Sequence, residues 1–313
     1  MKMQIITKQI PSSDGIHTLN ERIYLPSCKP VGFLQTVHGM AEHIERYDAL
    51  MRFMAENGFI CFGHDHLGHG RTVKDETELG YFAPRKGYDF LLKDIQKASQ
   101  EVISEYSDKD SETSLPYCLL GHSMGSFIVR LAAEQYVHPD KLIIMGTSGK
   151  NPAAVPGIAF ASVIQTFCGK KHISPLLNKV AFGSFNKKFE DSEKNDGFLW
   201  LSTDKEERDM YIADRFCGFD FTVSAIKDLI KMIKYSNRRG WFKTIASRTD
   251  ILLVSGSDDP VGNYGKGVKE VYDRLKKENA DVKMIIYDGA RHEIMHDFCR
   301  EKVFEDIKNF IMP

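Results

Sequence analysis

Hydrophobic and polar positions alternate with a period of two over residues 3–10 and 17–25, on either side of the turn Ser13-Asp14-Gly15. This pattern predicts an antiparallel hairpin. After it the chain changes to short apolar runs separated by helical patterns. Residues 31–37, 59–62, 117–120, 142–145, 251–255 and 283–287 read as strands. Residues 47–57, 88–106, 126–136, 268–278 and 302–312 read as helices. In the first of these, Leu50, Met51, Phe53 and Met54 mark the apolar side, and Gly58 supplies the stop. Strand–helix alternation of this kind predicts an α/β fold, with a mostly parallel central sheet and helices on both faces.

The rhythm breaks over 149–240. Helical and irregular patterns continue there without a convincing core strand, and phenylalanines concentrate at Phe160, Phe167, Phe182, Phe185, Phe189 and Phe198. The expected organisation is therefore a core built from 1–148 and 241–313, with a helical cap inserted at 149–240. Within the cap, 155–167 is almost wholly apolar but too short to span a bilayer. It either packs a helix onto the core or lines an acyl-binding wall through Ile158, Phe160 and Ile164. On the second reading it also offers a surface for transient contact with lipid aggregates.

Composition narrows the function classes. The chain has 313 residues, 42% hydrophobic and 27% charged, with a formal net charge of -1. That length carries a substantial core, and the scattered Lys and Arg give no basic stripe for nucleic acid. No run approaches the roughly 18 apolar residues of a membrane span, and the first residues lack the apolar core of a secretory signal. The six cysteines are widely spaced with no CxxC pair, which predicts buried free thiols in a reducing cytoplasm. No pattern in the chain sets an oligomeric state.

The chemistry is concentrated in three segments. Leu119-Leu120-Gly121-His122-Ser123-Met124-Gly125 places G-x-S-x-G after an apolar strand and before a helical pattern. Glycines two residues on either side of a serine let it sit on a sharp strand-to-helix turn, above the positive end of the helix. A hydroxyl is a poor nucleophile at neutral pH. It needs an imidazole to take its proton and a carboxylate to orient that imidazole. Both follow in the order acid then histidine, each after its own strand: the adjacent Asp258 and Asp259, then His292.

With these segments in hand, the chain resembles the monoacylglycerol lipase and lysophospholipase branch of the α/β-hydrolases, often labelled serine aminopeptidase-like. The matching segments are His38-Gly39-Met40-Ala41-Glu42-His43, Asp65-His66-Leu67-Gly68-His69-Gly70-Arg71-Thr72, Gly121 to Gly125, Gly256 to Pro260 and Gly289 to His292. The resemblance implies the α/β-hydrolase fold, Ser123 as nucleophile and His292 as base. It favours Asp259 as the acid, through the pattern G-x-x-D, and the backbone N–H groups of Met40 and Met124 as the oxyanion hole. It also implies a small lipid-like ester as substrate and no cofactor. Ala41, Leu67 and Ser126 depart from the branch's usual Gly, Arg and Gly, which bears on the shape of the acyl pocket rather than on the triad.

Other readings compete. His292-Glu293-Ile294-Met295-His296 is a literal H-E-x-x-H, but it begins in a turn and lacks a third ligand nearby, so no metal is expected. His64, Asp65, His66 and His69 read as a structural loop, with Asp65 pairing Arg71, rather than a metal cluster. An aminopeptidase or prolyl peptidase would need an acidic subsite for a substrate's amino terminus. Asp191, Glu193, Asp204, Glu206 and Glu207 could supply one, but they read better as a solvated helix face. A non-catalytic binding protein of the same fold would typically lose a triad member, and this chain keeps all three.

Overall fold

A computed structural model of the chain describes residues 2–107, 114–190 and 194–312. Eight strands form one sheet in the order β1-β2-β4-β3-β5-β6-β7-β8. They are β1 (Gln4–Pro11), β2 (Thr18–Leu25), β3 (Gly32–Val37), β4 (Phe59–His64), β5 (Tyr117–His122), β6 (Lys141–Met145), β7 (Asp250–Gly256) and β8 (Val282–Tyr287). The hairpin partner β2 also pairs antiparallel with β4, and every later pairing is parallel. Burial follows position in the sheet. β3, β4 and β5 are buried throughout, so they read as continuous apolar runs, whereas the edge strand β1 alternates. This is the mostly parallel α/β arrangement that the pattern predicts, and it matches the α/β-hydrolase fold that the resemblance implies.

Helices cover both faces. On one side α1 (Asp48–Glu56) and α10 (Arg300–Ile311) pack together over Leu34, Cys61, Leu120 and Ile143. On the other, α2 (Gly87–Tyr106) and α3 (Met124–Gln135) pack over Phe33, Leu119 and Leu142, with α9 (Lys266–Lys277) against β7 and β8. Between β6 and β7, among the described residues, the chain adds helices and no strand. These are α4 (Ala154–Cys168), α5 (Pro175–Phe182), α6 (Lys205–Ala213), α7 (Val223–Ser236) and α8 (Arg239–Ile245). α7 and α8 pack on α3, and α4 packs on α7.

All six cysteines are free, but only Cys61 and Cys118, on central strands, are buried. Cys28 and Cys168 are exposed, contrary to the expected burial of all six, because they lie before β3 and at the outer end of α4.

Candidate active site

Parallel register brings the carboxyl ends of β3, β5, β7 and β8 to one edge, where the loops that follow carry the polar groups. Between β5 and α3 the turn is as tight as the glycine spacing suggests. A Cβ on Gly121 would sit inside the Gly125 carbonyl, and one on Gly125 inside the Val37 carbonyl. Ser123 itself has φ 53° and ψ −119°, a conformation that L side chains rarely adopt. Such a residue costs about 1–3 kcal/mol and persists only because its surroundings hold it. Here the Ser123 N–H donates to the Met145 carbonyl at 2.9 Å, and Ser126 returns both its N–H and its hydroxyl to the Ser123 carbonyl.

His292 and Asp259 meet from separate loops. Nδ1 of His292 donates to Asp259 Oδ1 at 2.9 Å, and both side chains are almost fully buried. The carboxylate also accepts the Val261 N–H at 2.8 Å and the Ser255 hydroxyl at 3.1 Å. Burial alone would raise the Asp259 carboxyl. The His292 ring and these donors outweigh it and hold the group below its usual range. Nε2 of His292 is buried without a hydrogen-bond partner, and His292 lines the same cavity as Ser123. Asp258 turns elsewhere, to Lys188 at 2.6 Å.

Behind Ser123, Asp259 and His292 lies a buried network that sequence reasoning missed. Glu42 accepts the Gly39 N–H at 2.6 Å and the Tyr47 hydroxyl at 2.9 Å. Arg46 joins Glu42 at 2.8 Å and forks onto both oxygens of Glu293 at 2.6 and 2.7 Å. His122 reaches Glu42 at 3.4 Å through Nδ1 and the His292 carbonyl at 3.2 Å through Nε2. Burial opposes charge on Glu42, but His122 and Arg46 outweigh it and hold the carboxyl well below the usual range; Glu42 in turn raises His122 against its burial. The network fixes the loop that carries Met40. Its one signal in the sequence was the i, i+4 spacing of Glu42 and Arg46.

Over this edge lies a cavity of about 1050 Å³. Met40, Ser123, Met124 and His292 form part of its floor; Phe160, Phe182, Phe185, Phe198 and Trp200 form part of its wall. Two of the six phenylalanines concentrated in 149–240 are absent from it. Phe167 points outward at 85% exposure, and Phe189 is buried beneath the Arg291 guanidinium. Of the three expected wall residues on α4, Phe160 lines the cavity; Ile158 and Ile164 do not, and Ile164 packs against the core of the molecule. Helical phase sets Ile158 on the side away from Phe160, but 160 and 164, spaced i, i+4, share one side, so that split follows from how far along the helix each residue lies.

The H-E-x-x-H residues make separate contacts, and among the described residues His64, Asp65, His66 and His69 do not converge as a metal-ligating group. In H-E-x-x-H, His292 binds Asp259, Glu293 binds Arg46, and His296 meets Glu207 at 3.0 Å; the residues run through a turn and the short 3-10 helix Ile294–His296. The loop at Asp65 is structural, but its expected ion pair is corrected. Asp65 accepts the backbone N–H of Arg71 and of Ile44, and the Arg71 guanidinium turns to Glu45. Of the acidic cap residues, Asp191 and Glu193 lie outside the described residues. Asp204 caps α6, and Glu207 is held by His296 and Arg300 rather than solvated.

Comparison with known proteins agrees with this geometry. A profile of the family described as serine aminopeptidase, S33, matches residues 29–298. Monoglyceride lipase of Rattus norvegicus is 24% identical over 298 residues, covering 92% of this chain and 86% of its own. Monoacylglycerol lipase of Mycolicibacterium smegmatis is 24% identical, covering 93% and 91%. The crystal structure of a thermostable carboxyl esterase from Bacillus coagulans superposes with a TM-score of 0.90 at 30% identity, covering 98% of this chain and 97% of that one.

Proposed function

The chain belongs to the serine aminopeptidase S33 family of α/β-hydrolases, and from that membership we propose that it hydrolyses carboxylic esters of small lipid-like molecules through an acyl-serine intermediate. The observation that carries the reading is the state of His292. One ring nitrogen is committed to Asp259, and the other is buried, unpartnered and on the cavity that Ser123 lines.

In this reading His292 Nε2 takes the Ser123 proton as the hydroxyl oxygen attacks the ester carbonyl. Asp259 fixes the tautomer and balances the imidazolium. The N–H groups of Met40 and Met124 receive the oxyanion; fixed backbone donors suit this because they need not reorganise as charge develops. The proton then passes to the leaving alcohol, and water releases the acyl group by the same route reversed. Residues 149–240 act as a cap whose aromatic wall holds the acyl chain. The names of the two lipase relatives point to a glycerol monoester as the substrate class.

Two finer points belong to the same proposal. No helix among the described residues is long and apolar enough to cross a membrane. The cap nevertheless presents Val155, Phe167, Leu176 and Val180 to solvent, an apolar surface suited to transient contact with lipid aggregates. The six free cysteines favour a reducing compartment such as the cytoplasm.

An aminopeptidase reading needs a free carboxylate on the wall for a substrate's ammonium. Glu42 and Glu293 on the wall are engaged by Arg46, whereas Glu190, Asp220 and Glu270 also line the cavity, so aminoacyl anilides belong in the test. The decisive test is a panel of p-nitrophenyl esters, monoacylglycerols, a lysophospholipid and aminoacyl anilides, run on wild type and Ser123→Ala. Ester turnover lost in the variant, with fluorophosphonate labelling only at Ser123, supports the proposal. Turnover of anilides alone, or an active Ser123→Ala, overturns it.

A further inference from the structure

His43 and Cys217 are far apart in the chain, and no spacing motif joins them. In the fold, the loop after β3 and the turn after α6 bring His43, Asp214 and Cys217 together, with one donor atom of each within 4.8 Å of the others. Among the described residues this is the one trio of potential metal ligands that converges in this way. His43 Nε2 lies 2.8 Å from Asp214 Oδ2. The turn is preformed: the Cys217 N–H donates to the Asp214 carbonyl at 3.0 Å, and the Phe216 N–H donates to Asp214 Oδ1 at 2.8 Å. His43 is buried, while Asp214 keeps about a third of its side chain in solvent, so an ion has a way in.

We propose that His43, Asp214 and Cys217 form a binding site for a borderline-soft divalent cation of the zinc type, separate from the Ser123 centre. An imidazole, a carboxylate and a thiolate suit such an ion, and three protein ligands leave a fourth position to water. Tetrahedral bonds of about 2.0–2.3 Å put donor atoms roughly 3.3–3.8 Å apart. The trio therefore needs to move by only about 1 Å. Local charge does not oppose the ion, because the nearby Arg46 already faces both Glu42 and Glu293. Coordination by Cys217 as a thiolate releases its proton to solvent.

The position gives the site a consequence. Gly218 N–H and the Tyr211 hydroxyl both donate to the Ala41 carbonyl, next to Met40, and the chain continues from Gly218 into Phe219 on the cavity wall. A bound ion would fasten this strap to the loop beside Ser123.

The probe is Co²⁺, added to the purified full-length protein and followed by near-ultraviolet and visible absorption, with Zn²⁺ as competitor. Binding of one equivalent should produce a thiolate-to-cobalt charge-transfer band and intense tetrahedral bands, both removed by Zn²⁺. Cys217→Ser should abolish the charge-transfer band, and His43→Gln should weaken binding at least tenfold. Cys28→Ser/Cys168→Ser, which removes the two exposed thiols, should leave the spectrum unchanged, as should Ser123→Ala. Absence of the band in wild type overturns the proposal whatever the variants do. So does a band that survives Cys217→Ser or disappears with Cys28 and Cys168.

Discussion

The indole of Trp200 lies against the imidazole of His292, with ring centres 5.0 Å apart and planes 36° from parallel. The His292 N–H also donates to the Trp200 carbonyl at 3.3 Å, and the His122 ring meets the same imidazole at 4.8 Å. Asp259 fixes one atom of the imidazole, and these rings fix its plane. Trp200→Leu should therefore lower kcat by roughly 10- to 100-fold, since about 1 Å of misplacement costs that much. Because the defect lies in the base, p-nitrophenyl acetate should suffer as much as a long-chain ester. Selective loss of long chains would make Trp200 merely part of the acyl wall.

Asp259→Asn should cost on the order of 10⁴ in kcat, because an amide cannot hold the required tautomer. Asp258→Asn breaks only the partly exposed pair with Lys188, so turnover and stability should change little, with stability moving by no more than about 1 kcal/mol. Steady-state kinetics and thermal melts on the two variants check the ranking. The reverse order would transfer the acid's role to Asp258.

On α4 the three apolar positions should separate. Phe160→Asp places a charge on the cavity wall and should cut long-chain ester turnover by tenfold or more while sparing acetate and butyrate. Ile164→Asp places its charge against the core and should lower the melting temperature with no chain-length signature. Equal chain-length profiles in the two folded variants would refute the acyl-wall role of Phe160.

The hairpin strand β2 carries a pH-dependent weakness away from the site. Glu21 is fully buried, and burial, outweighing Lys8 at 3.6 Å, raises its carboxyl from 4.5 to about 8. Lys8 is shared with Glu101 and Glu105 at 3.0 and 2.9 Å, which limits what it gives Glu21. A carboxyl raised in the folded state contributes its full stability below pH 4.5 and loses it as pH rises to about 8. Wild type should thus lose up to a few kcal/mol from this group across that window. Glu21→Gln should flatten the decline, as read from urea denaturation midpoints between pH 5 and 8.5. An unchanged slope would mean that the Glu21 charge is stabilised by other means.

Much of this was legible in the sequence, because the central strands are buried on both faces and the helices on one. Those two periodicities separate cleanly at β3–β7 and at α1, α2 and α9. The nucleophile turn was legible because close backbone approach at Gly121 and Gly125 leaves a spacing that only glycine satisfies. Long-range pairing left no such trace. Arg46 forks onto Glu293 from 247 residues away, and nothing local in either segment announces it. Trp200 carried no signal of its own in the sequence, and its placement on His292 depends on how residues 149–240 pack over the sheet. On α4, apolar residues on every side hid which face meets the cavity, and Phe160 and Ile164, spaced i, i+4, share a face in any case.

The backbone at Ser123 has a bearing on protein engineering. Glycine accepts φ 53° far more readily than serine does, so Ser123→Gly should relieve part of the local strain while deleting the proposed nucleophile. A library of this enzyme ranked by melting temperature alone would score that inactive substitution as an improvement. Stability screening needs an activity gate at this position, because here durability and catalysis select opposite residues.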